Sequence, residues 1–396
     1  MKKILFLASF LCAALAVQAQ HLERVTPESV GLDAARLKNA DNAIEQAIER
    51  QDIPGAVLAV VRHGKMAYIK AYGNKRVWPK KEAMTTDVVF DMASCSKAMS
   101  TAVCAMTLIE QGKIRLMDRV QQYIPGFEGW AEAPGDTTSI RIIDLLTHTS
   151  GLPPYADANQ LKAKYGAPNR DGLIDYIAHC KRRFAPTTDM DYSCLNFITL
   201  QRIIETVSGQ DLRTYAHEYI FDVLGMADTD YCPSKELAKR CAPTEKQPDG
   251  KVLQGVVHDP LARIMNGGIS GNAGVFTTAD DVALLCAALQ NGGEWGGKRI
   301  LAPTTVKAMR TVPRRVAQFG RALGWDLFSP YASNVGDLLS PEAYGHTGFT
   351  GTSIVIDPVN DISIILLTNS VHPTGHGNCI ALRSYVANAV AGAIMK

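Results

Sequence analysis

Ser353-Ile354-Val355-Ile356 and Ile362-Ser363-Ile364-Ile365-Leu366-Leu367 are separated only by Asp357-Pro358-Val359-Asn360-Asp361. Two β-rich apolar runs joined by turn-forming residues read as an antiparallel hairpin. The same design stands near the other end of the chain, where Val57 to Val61 and Met66 to Tyr72 flank His63-Gly64. Helical periodicity brackets the hairpins: Leu37, Ala40, Ile44, Ala47 and Ile48 recur at i, i+3 and i+4, and Ile380 to Met395 closes the sequence in the same way. The middle is helical, with patterns over Thr101–Gln111, Ile140–Leu146, Asn196–Val207 and Leu212–Tyr219. Strands at both ends and helices between them predict an α/β (α+β) fold, in which an antiparallel sheet flanked by helices is assembled from both termini and an all-α sub-domain is inserted. The expected boundaries are residues 20–93 plus 262–396 for the α/β part and 94–261 for the helical part.

Residues 1–19 predict a signal peptide. Met1-Lys2-Lys3 precedes an apolar run from Ile4 to Val17, and Val17-Gln18-Ala19 offers small residues at the cleavage positions. Export to the periplasm or medium follows, and no integral membrane segment is expected, because no later apolar run is long enough. The sequence has 41 basic and 39 acidic residues. The leader holds two lysines and no acid, so the rest is balanced and carries no electrostatic case for nucleic acid. Eight cysteines follow the leader; Cys104 and Cys286 fall in apolar helical patterns and read as buried thiols, whereas Cys232 and Cys241 form the one close, loop-flanked pair that could bridge.

The chemistry begins at Ser94-Cys95-Ser96-Lys97, where a β-rich run ending at Phe90 gives way to a helical pattern. Positions i and i+3 share a helix face, so the Lys97 amine can reach the Ser94 hydroxyl and act as its base if burial lowers the lysine pKa. Two further polar clusters follow in order: Asp191-Tyr192-Ser193 before the Asn196 helix, and Gly345-His346-Thr347-Gly348 before a strand.

With Pro54-Gly55-Ala56-Val57, Leu145-Leu146-Thr147-His148-Thr149-Ser150-Gly151-Leu152 and Ala273-Gly274-Val275-Phe276-Thr277-Thr278, these motifs make the chain resemble the class C β-lactamase and D-alanyl-D-alanine-peptidase-like serine hydrolases from about Pro27 to Pro373. The resemblance implies the β-lactamase/DD-peptidase-like fold. It implies that Ser94 attacks an acyl carbonyl while Lys97 and Tyr192 carry its proton to the leaving group. The backbone N–H groups of Ser94 and Phe349 would form the oxyanion hole, with His346, Thr347 and Gly348 binding substrate. No cofactor is implied. The substrate is expected to be a small ester, amide or peptide. Two alternatives stay open: transfer of the acyl group to an alcohol or amine acceptor, and a penicillin-binding sensor or silent binder of cell-wall peptides, marked by slow deacylation.

Two departures from the lactamase pattern bear on specificity. Cys194 stands where an asparagine would contact substrate, and a thiol is a poor donor and acceptor. His346 replaces a lysine, so fixed charge is missing at pH 7, and its imidazole is expected to gain charge near an ordinary pKa of about 6.5. Tyr155 and Tyr344, each close to a motif, are expected to line the cleft. His148, before a glycine turn, reads as structural. His372, His376 and Cys379 read as a polar loop, so no metal site is expected.

Overall fold

The computed structural model describes residues 21–133 and 137–395; the expected leader, residues 1–19, lies outside the described residues. In chain order the strands are β1 (Gly55–Arg62), β2 (Lys65–Arg76), β3 (Glu82–Ala83), β4 (Phe90–Asp91), β5 (Phe276–Thr277), β6 (Glu294–Trp295), β7 (Lys298–Arg299), β8 (Tyr344–Thr347), β9 (Ser353–Asp357) and β10 (Ile362–Thr368). Six of them form one sheet in the order β3-β2-β1-β10-β9-β8, with every neighbouring pair antiparallel. The two hairpins therefore meet edge to edge, β1 pairing with β10 from Ala56 opposite Thr368 to Arg62 opposite Ile362.

Side chains on the two central strands alternate between two cores. Ala56, Leu58, Val60, Ile364 and Leu366 pack with Leu37, Ala40 and Ile44 of helix Ala34–Glu49 and with Leu382, Val386 and Val390 of helix Ile380–Ala391. Val57, Ala59, Val61, Ile365 and Leu367 face the other way, onto Val282 and Leu285 of helix Ala279–Gln290 and a core that continues into the central helices. Both faces of β1 are thus covered, which is why its sequence is unbroken apolar and not alternating.

Helix boundaries follow local chemistry. Asp33 caps the first helix by accepting from the N–H groups of Ala35 and Arg36, and Thr278 caps helix Ala279–Gln290 by accepting from Asp281. Two helices depart from the sequence expectation in shape. The one read as starting at Thr101 begins as a wider π-type turn at Lys97, continuing as Val103–Glu110. The one read over Leu212–Tyr219 keeps α geometry only to Ala216 before a similar turn. No helix among the described residues is long and apolar enough to cross a membrane.

The Cys232–Cys241 bridge does not form: all eight described cysteines are free thiols. Cys241 is fully buried, its backbone bridged to Val89 and its thiol turned to the Leu237 carbonyl at 3.5 Å, while Cys232 is exposed. Cys104 and Cys286 are buried as expected.

Candidate active site

The Ser94 turn is built by a short strand pair. β4 pairs with β5 so that Asp91 lies opposite Phe276, and the Met92 N–H continues the ladder to the Val275 carbonyl at 2.9 Å. The chain then reverses through Ala93, whose φ of 45° is left-handed for a residue with a Cβ. The buried Asp91 carboxylate braces this conformation by accepting from the Ala93 N–H at 2.9 Å. Bonds from Cys95, Ser96 and Lys97 N–H back to Met92, Ala93 and Ser94 carbonyls start the helical run, with Ser94 in its first turn.

Lys97 is fully buried and spends its three N–H bonds on three acceptors: Ser94 Oγ at 3.0 Å, the Asn272 carbonyl at 2.8 Å and Cys194 Sγ at 3.5 Å. Burial alone penalises the ammonium, but Cys194 and Tyr192 outweigh it and hold the pKa above its ordinary value. The expectation of a lysine made basic near neutrality by burial is thus corrected: its surroundings are acceptors, and they favour the ammonium.

Tyr192 stands beside it, with Lys97 Nζ 5.1 Å from its ring centroid. Its hydroxyl is buried without a hydrogen-bond partner. Burial pushes the phenol pKa up and prevails over the downward pull of Lys97 and Arg321. The residue is positioned through His148, which packs on the ring at 4.4 Å and whose Nδ1 accepts the Ser193 N–H at 3.0 Å. Ser193 Oγ donates to the Pro153 carbonyl and Cys194 N–H to that of Pro154. His148 is structural, as its sequence context suggested, and burial holds its pKa well below the usual histidine value.

The third segment is docked on the first. Thr350 Oγ1 donates to the Asp91 carbonyl at 2.7 Å and Thr352 Oγ1 to that of Met92 at 3.0 Å. Between them the chain passes so close that a Cβ on Gly348 would lie 2.1 Å from Thr352 Oγ1 and 2.6 Å from the Met92 oxygen. This contact sets Phe349 next to the Ser94 turn. Among the described residues neither the Ser94 nor the Phe349 N–H has an acceptor, as an oxyanion hole requires.

A cavity of about 420 Å³ opens over these groups, lined by Ser94, Tyr192, His346, Thr347, Gly348 and Phe349, with Tyr331 and Ile380 at its edge. Cys194 lies under Lys97 and does not line it. Tyr344 is corrected to a core residue: it is wholly buried and packs edge-on to Trp325 at 5.2 Å, although it shares a face of β8 with His346 two residues on. Tyr155 does not line the cavity either; its hydroxyl donates to Asp259 at 3.0 Å and accepts from the Leu261 N–H. His346 does line the cavity but cannot serve as its titrating charge. It is 3 % exposed, and burial with the nearby Arg321 and Lys97 charges drives its pKa well below the ordinary value, so it stays neutral.

Sequence reasoning missed three groups. The Asn272 carbonyl that holds Lys97 comes from Gly268-Ile269-Ser270-Gly271-Asn272, and a backbone carbonyl leaves no mark in the sequence. Arg321 and Arg383 also line the cavity; a lone arginine in an irregular segment and one on an apolar helix carry no motif that would mark them. His372 is engaged at both ring nitrogens, by the Thr244 carbonyl and the Val77 N–H.

Comparison with known proteins agrees with this geometry. The family model described as beta-lactamase matches residues 40–386. An Escherichia coli (strain K12) protein with the provisional name D-alanyl-D-alanine carboxypeptidase is 32 % identical, the alignment covering 94 % of this chain and 92 % of that one. The N-acetylmuramyl-L-alanine amidase of Bacillus subtilis (strain 168) is also 32 % identical, over 88 % of this chain and 84 % of its own. Among solved structures, EstCE1, a hydrolase with promiscuous acyltransferase activity, superposes with a TM-score of 0.73 at 25 % identity, covering 90 % of this chain and 99 % of that one.

Proposed function

The chain belongs to the beta-lactamase family of serine hydrolases, and from that premise we propose that it is an exported enzyme cleaving an amide or ester bond, with cell-wall peptides as its substrate class, through an acyl group held on Ser94. The observation that carries this reading is the 3.0 Å contact between Lys97 Nζ and Ser94 Oγ inside a cavity that also presents two unpaired backbone N–H groups. The nucleophile, its base and the site for developing negative charge converge on one point. Names of the relatives supply the substrate class: one is called a carboxypeptidase and the other an amidase, both acting on amides.

In this mechanism the Ser94 oxygen bonds to the carbonyl carbon as its proton passes into the Lys97–Tyr192 pair. The carbonyl oxygen, now negative, is held by the N–H groups of Ser94 and Phe349. Tyr192 returns the proton to the leaving nitrogen or oxygen as its bond to carbon breaks, and the pair then draws a proton from water to release the acyl group. His346, Thr347 and Gly348 hold the substrate alongside. The two expected sub-domains, residues 20–93 with 262–396 and residues 94–261, each contribute to this cleft on the same reading.

A second outcome, transfer to an alcohol or amine, has its own support in the likeness to EstCE1 and in an open mouth, where Phe349 is 69 % exposed. The test is labelling with a fluorophosphonate probe followed by assays on D-amino-acid peptides and an N-acetylmuramyl-L-alanine amide, with and without an alcohol acceptor. Ser94 should carry the probe and the peptides should be cleaved; transfer products appearing in place of free acid would select the second outcome. Covalent labelling that persists in Ser94→Ala overturns the proposal, and acylation without turnover identifies a binder.

A further inference from the structure

Cys194 is a nucleophile that the acyl-enzyme chemistry leaves unused. It opens helix Cys194–Ser208, directly after Tyr192-Ser193, and its N–H donates to the Pro154 carbonyl at 2.8 Å. Its sulfur lies 3.5 Å from Lys97 Nζ, so a thiol touches the amine on which Ser94 depends. Cys95, Cys104, Cys241 and Cys286 are sealed in the core. Cys194 keeps part of its surface within reach of solvent.

A second donor waits at the same sulfur. Asn272 is fully buried; its carbonyl holds Lys97 at 2.8 Å and its side-chain oxygen accepts from the Ser270 hydroxyl at 2.6 Å. Its Nδ2 has no hydrogen-bond partner and lies beside the Cys194 sulfur. A buried amide N–H is rarely left open, and thiol sulfur is a weak acceptor that satisfies neither this group nor Lys97 well. An oxygen atom bonded to that sulfur gives both donors a strong acceptor.

We propose that Cys194 is an oxidation site and that its sulfur, once oxidised, joins to Lys97 Nζ and switches the enzyme off reversibly. The oxidant is a hydroperoxide. The Cys194 thiolate takes the distal oxygen as the O–O bond breaks, giving a sulfenic acid and an alcohol, or water where the oxidant is hydrogen peroxide; sulfur is oxidised as the peroxide is reduced. Lys97 Nζ then bonds to sulfur, the S–O bond breaks, and the hydroxyl leaves as water with a proton from the amine. The flexible lysine stem closes the gap. The N–S link removes the amine that takes the Ser94 proton, so the inference rests on the reading of Lys97 as the base. A thiol reverses it: attack on the Cys194 sulfur breaks the N–S bond and returns the amine, and a second thiol frees Cys194 as the disulfide of the two reductants departs.

At rest the site is protected. Burial pushes the Cys194 pKa up and, with the Asp259 charge, prevails over the pull of Lys97 and Asn272, so thiolate is scarce at neutral pH. Oxidation is slow there and quickens as pH rises.

The test treats the purified protein with hydrogen peroxide, reads turnover of a neutral ester before and after dithiothreitol, and maps the peptides by mass. Wild type should lose turnover by about tenfold or more and regain most of it with dithiothreitol. The peptide holding Lys97 should be joined to the one holding Cys194, lighter by two hydrogen atoms than the separate peptides together. Inactivation should be about tenfold faster or more at pH 8.5 than at pH 7, following the thiolate. Cys232→Ser, which removes the exposed thiol, should inactivate at the wild-type rate, whereas Cys194→Ser should keep its own starting turnover through the treatment. Inactivation that persists in Cys194→Ser overturns the proposal, as does a wild-type map in which oxidised Cys194 carries no link to Lys97. The map needs no variant, so the proposal stays exposed even if Cys194→Ser fails to fold. A linked protein that keeps full turnover overturns the role of Lys97 as base, a different result from a missing link. Failure of the acyl-enzyme reading shows separately, as ester turnover that persists in Ser94→Ala before any oxidation.

Discussion

Lys97 and Tyr192 are each held toward their protonated forms, and pH dependence follows from that. A lysine pKa above its usual value keeps the ammonium to higher pH, and a raised phenol pKa keeps the hydroxyl. In the proposed mechanism the pair can accept the Ser94 proton only after one of its own has gone, and two such coupled sites titrate as a unit. For a neutral ester, kcat/KM is therefore expected to climb through neutral into alkaline pH, with no inflection from His346. A profile flat from pH 6 upward would contradict this proton inventory. Ser94→Ala and Lys97→Ala should each lower kcat by about 10³-fold or more while still melting cooperatively, with Lys97→Ala melting lower because it leaves the Asn272 carbonyl without its donor. Tyr192→Phe should also retain its fold and lose most turnover, since its hydroxyl has no structural partner to lose. The Ser94–Lys97 contact was legible in the sequence because an i, i+3 spacing is local, whereas the proposed role of Tyr192 came only through the resemblance. The protonation of Lys97 and Tyr192 was not, since Cys194 and Asn272 reach Lys97, and Arg321 reaches Tyr192, only through the fold.

At the scale of elements, the active site is a docking of three segments, and its closest approach is at Gly348. Replacing it with alanine drives a methyl group into Thr352 Oγ1 and the Met92 carbonyl, so the β8–β9 connection must lift from the Ser94 turn. Gly348→Ala is expected to cost about 1–3 kcal/mol of stability by overpacking. It should also lower kcat by about 10²-fold, because the Ser94 and Phe349 N–H groups proposed to form the oxyanion hole separate. Stopped-flow acylation and thermal melts report the two effects; a variant with normal acylation would remove the Phe349 N–H from the hole. The hairpins and the first and last helices were readable in the sequence, since periodicity is a property of neighbouring residues. The placement of Tyr344 was misread because closeness in sequence to a motif says nothing about depth: His346 and Thr347 reach the cleft, while Tyr344 packs in the core against Trp325.

The whole molecule is closed by its last helix. Leu382, Val386 and Val390 complete the core beneath the sheet, the Asp33 N–H bonds to the Ala393 carbonyl at 2.8 Å, and Arg383 grips the carbonyls of Gly348 and Thr352. Deleting residues 380–396 is expected to abolish cooperative melting and turnover together, although every residue proposed to handle a proton remains. A truncated protein that melts cooperatively within about 5 °C of the full chain would show that the helix is dispensable.

The pairing of β1 with β10 also fixes when the protein can exist at all. Ala56 meets Thr368 and Val57 meets Leu367, so on a ribosome the first hairpin emerges long before its partner has been translated. Until then β1 offers an apolar strand with an open edge, the surface that invites pairing with other chains. Contacts of such long sequence separation form slowly. The nascent chain thus cannot complete its sheet before β10 has been made, and until then the β1–β2 hairpin, residues 55–76, carries an edge open to pairing with other chains.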